Sequence, residues 1–122
     1  MALTFLLDEH LRGVLMHAIQ RHNSSGVDLI DAVCVGDPPD LPLGSSDPDI
    51  ISWADHHGRV LVTRDVHTMP ANFFQHLRAG NLSPGLLFIR PKSLLADIVA
   101  ELAMIANAGD AADYFDQMDF IP

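Results

Sequence analysis

Apolar positions along this chain fall into two kinds of pattern. Unbroken runs occur at Phe5-Leu6-Leu7, Val60-Leu61-Val62 and Leu86-Leu87-Phe88-Ile89. Each is too short for a helix, and an apolar run without alternation reads as a strand buried on both faces, the signature of a parallel sheet. Val27 to Val35, with Leu29, Ile30 and Val33, reads as another strand after the stop at Asn23-Ser24-Ser25-Gly26. Elsewhere the period lengthens to that of a helix. Leu11, Val14, Leu15, Ala18 and Ile19 line one face behind a capping Asp8, and Ile50, Trp53 and Ala54 line another. In that second helix Asp47 is the expected cap and Pro48 the first helical residue. A third helix carries Phe73, Phe74, Leu77 and Arg78, and a fourth, capped by Ser93, carries Leu94, Leu95, Ile98, Val99, Leu102, Ile105 and Ala106. Gly58 and Gly80-Asn81 read as helix stops, and the Pro-rich stretch from Gly36 to Ser45 as a loop.

Strands alternating with helices predict right-handed βαβ crossovers and a three-layer α/β/α fold. The sheet should be mostly parallel, with about four strands in one domain spanning residues 1–122. The tail from Gly109 to Pro122 is acidic but holds Tyr114, Phe115, Met118, Phe120 and Ile121. It reads as a short helix or a partner-binding segment.

Composition narrows the class. Hydrophobic residues make up 48% and charged residues 19%, as in a globular protein, and no apolar run approaches the length needed to cross a bilayer. Asp8 and Glu9 interrupt the first apolar run, so no secretory signal is read, and a lone Cys34 forms no internal disulfide. A cytoplasmic protein without membrane association is expected. Seven Lys and Arg against sixteen Asp and Glu leave a net charge of −9, which opposes nucleic-acid binding. Metal ions or a basic partner would have to offset it, unless Arg12, Arg64, Arg90 and Lys92 gather at one edge.

The acids carry the candidate chemistry. Asp8 follows the first strand, Asp65 follows the third apolar strand, and Asp47 opens a helix, so α/β topology brings all three toward one sheet edge. Carboxylate clusters hold magnesium or manganese because these hard cations prefer oxygen ligands. Taken singly, Asp8 and Asp47 read as helix caps, whereas Asp65 has less obvious capping work to do. The histidines lack zinc spacing, and neither a nucleophile elbow nor a P-loop is present.

The stretch Phe5-Leu6-Leu7-Asp8-Glu9-His10, with Asp47-Pro48-Asp49-Ile50-Ile51, Ala54, Gly58 and Leu61-Val62-Thr63-Arg64-Asp65, resembles a PIN-like domain. More narrowly it resembles the short, toxin-related PIN-like group allied to VapC-type ribonucleases, and the likeness runs through the Gly85–Arg90 strand and the last helix. The resemblance implies a metal-dependent ribonuclease of toxin-antitoxin type that hydrolyses RNA phosphodiesters. It implies Asp8, Asp47 and Asp65 as catalytic ligands of Mg2+ or Mn2+, and Asp49 as a further ligand. Thr63 would shape the turn beneath the metal, Arg64 would meet phosphate, and Glu9 would support the site. It further implies an antitoxin partner and a homodimer. Longer relatives carry a Glu where this chain has its Pro-rich loop, leaving Asp37 and Asp40 as candidates, and His67 and Thr68 stand where short relatives often place an acid and an aromatic. Two other readings compete: a partner-binding module without catalysis, and a receiver-like phosphoacceptor domain using Asp8-Glu9 and Asp65.

Overall fold

The three unbroken apolar runs are strands, and they lie side by side. A computed structural model describes residues 2–122. Its elements are β1 (Thr4–Leu7), α1 (Val14–Asn23), β2 (Asp31–Cys34), α2 (Asp47–His57), β3 (Val60–Thr63), α3 (Met69–Arg78), β4 (Leu86–Ile89), α4 (Leu95–Ala108) and β5 (Met118–Ile121). Short 3-10 turns cover Glu9–Leu11 and Ala111–Asp113. All strand pairs are parallel, in the order β2-β1-β3-β4-β5. The sheet therefore has five strands, one more than expected, because the tail, after its short 3-10 turn at Ala111–Asp113, docks beside β4 as a strand.

Alternation along the strands divides the core in two. Phe5, Leu7, Val60, Val62, Leu87 and Ile89 pack with α1 and α4, while Leu6, Leu61, Leu86 and Phe88 pack with α2 and α3. This is a three-layer α/β/α fold. Among the described residues no helix is long and apolar enough to cross a membrane.

Four local expectations are corrected. Ser46, not Asp47, is the N-cap of α2, accepting the Asp49 N–H at 3.3 Å, so Asp47 and Pro48 are its first two residues. Ser93 does not cap α4: its hydroxyl donates to the Arg90 carbonyl at 2.8 Å, and Leu94 stands at the cap position with its side chain exposed. Strand β2 is shorter than Val27–Val35, because Val27 and Leu29 are exposed and only the chain from Asp31 pairs with β1. Val14 is exposed in α1 and Met16 is buried in its stead. Gly58 ends α2 in the left-handed region at φ +65°, as a helix stop requires.

The crossovers do not all share one hand. From β1 to β2 the chain steps one way with α1 on the first face, and from β2 through β4 it steps the other way with α2 and α3 on the second face. Those connections have the same hand. From β4 to β5 it continues in the same direction, yet α4 lies on the first face with α1. The last connection thus has the opposite hand to the others, against the strong preference for right-handed crossovers. Gly85 makes room for it: a Cβ there would sit 2.5 Å from the Tyr114 carbonyl oxygen, on the segment leading into β5.

Candidate active site

The strand order reverses between β1 and β3, and open α/β sheets bind ligands outside the carboxyl ends of the strands at such a point. Asp8 follows β1 and Thr63 ends β3 at this place. The Thr63 hydroxyl donates to Asp8 Oδ2 at 2.7 Å and accepts the Asp65 N–H at 3.0 Å, so one buried side chain ties the first acid to the loop bearing the third. Asp8 is itself nearly buried, and its Oδ1 accepts the Glu9 N–H at 2.8 Å, capping the 3-10 turn.

Asp65 does more local work than expected. Its Oδ1 accepts the N–H groups of His67 at 2.9 Å and Thr68 at 3.0 Å, which turns the chain into α3. Its Oδ2 meets the Thr68 hydroxyl. These bonds, the Thr68 hydroxyl foremost, hold the Asp65 carboxyl below the usual aspartate range. Thr68 occupies the N-cap position of α3, yet its hydroxyl makes no cap bond. It reaches instead to Asp65 and to Asp47 Oδ2, the latter at 2.7 Å. A hydroxyl has one proton, so it serves only one of these carboxylates at a time, and the other faces an oxygen lone pair.

Asp8, Asp47 and Asp65 are thus linked through two threonine hydroxyls at one sheet edge. Among the described residues, no three acidic, histidine or cysteine side chains converge around a single point that could hold an ion. Magnesium does not demand that: it keeps several waters and is commonly held by one or two carboxylates. Asp47 and Asp65, which share a single donated proton, are the pair whose chemistry fits such a cation.

The other expected residues separate. Asp49 is exposed and, two positions along α2 from Asp47, faces another side of the helix. Glu9 Oε1 accepts the Gly44 N–H at 2.6 Å and so holds the Pro-rich loop. Asp37 is bound by Arg12 at 2.9 Å and Asp40 by the Trp53 indole at 3.0 Å, so each has a structural partner apart from the trio. Arg12 also donates to the Val35 carbonyl. Arg64 is exposed, and its N–H donates to His10 Nε2 at 3.2 Å.

Pattern reading missed three residues. Thr68 and Asn72, whose amide lies 3.4 Å from Asp47 Oδ2, touch the acids through the fold alone. His10 lies 3.7 Å from Asp8 Oδ2 and, with Nε2 accepting from Arg64, presents a protonated Nδ1 toward that carboxylate. An Asp-x-x-Thr spacing ahead of a helix was the one available signal for Thr68. Beneath the site, burial, reinforced by Asp37, pushes the Cys34 thiol up to about 12. Burial thus favours the protonated thiol, which donates to the Asp8 carbonyl at 3.6 Å.

An apolar cavity of about 310 Å³ lies at the opposite end of the sheet, among Leu3, Leu82, Pro84, Ala111 and Phe115. Of its two acids, Asp116 is held by the Ser83 N–H at 2.8 Å and Asp55 lies 3.5 Å from His76. Comparison with family models, with characterised proteins and with solved structures finds no match to this chain.

Proposed function

We propose that this chain is a PIN-like, divalent-metal-dependent ribonuclease of toxin-antitoxin type. The observation that carries the reading is the pair of carboxylates, Asp47 from α2 and Asp65 from the loop after β3, aimed at the one Thr68 hydroxyl proton, with Asp8 tied to the same loop through Thr63. Such a site is short of positive charge, and Mg2+ or Mn2+ bound there would activate water and steady the charge developing on a phosphodiester. Asp47 and Asp65 would hold the ion, with Thr68 turning away. Asp8, fixed by Thr63 and Glu9, would orient the water shell. Hydrolysis then adds water across the bond between phosphorus and a sugar oxygen of RNA. A cytoplasmic location, an antitoxin of opposite charge and a homodimer accompany this reading.

The partner-binding alternative leans on the apolar tail, and part of that tail is occupied: Ile121 is buried and Tyr114 packs on the core. The receiver alternative needs a Lys at the end of the fifth strand, where this chain has Ile121 and Pro122.

Asp65→Asn is the test, because asparagine keeps an oxygen for the His67 and Thr68 N–H groups while losing the charge. The unmodified chain should cleave RNA oligonucleotides with Mn2+ and stop on chelation, and the variant should be slower by about 100-fold or more while still folding cooperatively, at a melting temperature lowered only by the lost charge-assisted bonds of Asp65. Equal cleavage by the variant, or no metal-dependent cleavage by either, overturns the proposal.

A further inference from the structure

Arg12, Arg64, Arg90 and Lys92 do gather at one edge: Arg12 follows β1, Arg64 follows β3, and Arg90 and Lys92 follow β4, all at carboxyl ends. Arg12 is engaged by Asp37 and Val35, whereas among the described residues Arg64, Arg90 and Lys92 make no ion pair. In a chain of net charge −9 with seven Lys and Arg, three cations that follow β3 and β4 without an acidic partner among the described residues are available to an anionic ligand.

A second feature adjoins them. Strand register pairs Thr63 with Phe88 and Phe88 with Phe120, and Thr63 is bonded to Asp8, so acid, hydroxyl and two aromatics form one row across the sheet. Two inter-strand steps put Phe120 roughly 10 Å from Thr63. Phe88 is buried under the helical layer, but Phe120 is 53% exposed, beyond the cover of α2 and α3. Its ring lies 5.5 Å from that of Phe88, and the Arg90 guanidinium stands 5.5 Å from its centroid. An exposed aromatic with a guanidinium over it, in one row with the acid after β1, is an arrangement on which proteins stack unpaired bases.

We propose that Phe120 and Arg90 seat an unpaired nucleobase next to the phosphodiester held at the acids, with Arg64, Arg90 and Lys92 meeting the flanking phosphates. The strand then runs along the carboxyl edge from β1 toward β5. This rests on the reading of RNA as the ligand and adds where and how its neighbouring nucleotide is held. An apolar protein partner fits the place less well, because Ile121 is buried, Asp119 is charged, and the Arg90 guanidinium stands against the exposed ring.

The experiment measures binding of a labelled single-stranded RNA oligonucleotide, by fluorescence anisotropy, to the full chain carrying Asp65→Asn. Adding Phe120→Ala should weaken binding roughly 5-fold to 100-fold, the range of one base stacked on an aromatic ring, while Phe120→Trp retains it. An oligonucleotide lacking one base should bind the Phe120 form more weakly by a similar factor and the Phe120→Ala form no more weakly still. Equal affinity for Phe120→Ala, or an equal loss with Phe120→Trp, overturns the platform. Cleavage by the unmodified chain is scored separately: cleavage with Phe120-independent binding removes the platform and leaves the nuclease, and Phe120-dependent binding without cleavage does the reverse. Absence of RNA binding removes both.

Discussion

One hydroxyl proton facing two carboxylates makes Thr68 the residue on which acid sensitivity turns. Asp65 ionises more readily in the folded chain than in the unfolded one, chiefly because of the Thr68 hydroxyl and backbone N–H. Its ionised form therefore contributes stability above the unfolded value, near pH 4, and loses that contribution as pH falls through the lower folded value. Thr68→Val removes the largest cause and leaves the two backbone bonds. In urea unfolding with a chelator present, the variant should be less stable than the parent at pH 7, and the gap should narrow below about pH 4. A gap independent of pH would show that Thr68 acts by packing alone. The same residue explains why the site was only half legible in the chain: Asp8 and Asp65 follow apolar runs and announce themselves, whereas Thr68 meets Asp47 across two elements and no local pattern records that contact.

At the scale of elements, the α2 N-terminus separates a structural acid from a functional candidate. Ser46 caps the helix, and Asp47, one residue later, is left free to face Thr68 and Asn72. Ser46→Ala should cost about 1 kcal/mol in unfolding free energy and leave any metal response intact, whereas Asp47→Ala should abolish the metal response at smaller cost to the helix. Calorimetric metal titration beside urea melts distinguishes these outcomes, and a reversed pattern would return Asp47 to the cap. Strands β1, β3 and β4 could be read from sequence because each is apolar on both faces. Strand β5 could not, since it lies at an edge and of its four residues only Ile121 is fully buried.

Across the whole molecule, β5 closes the sheet through a connection of uncommon hand, and Ile121 anchors it in the core shared with α1 and α4. Ile121→Ala should lower stability by about 2–5 kcal/mol in one cooperative urea transition, while Phe120→Ala, at a half-exposed position, should leave the midpoint nearly unchanged. A separate early transition in the Ile121 variant would mean that the last strand is an independent unit. The edge where β5 ends also carries charges of both signs: the rim cations follow β1, β3 and β4, and Asp8 and Asp65 follow the two strands that flank the switch.

What the chain determined by itself was its layers. Burial on both faces leaves an unbroken apolar run, and burial on one side of a helix leaves a 3.6-residue period, so both are written locally. Only the tertiary structure decided which acids meet, that two threonine hydroxyls join them, that an edge strand completes the sheet, and that Arg90 stands over an exposed Phe120. Those contacts join residues far apart in sequence through the order and hand of the strands, and no local period encodes either.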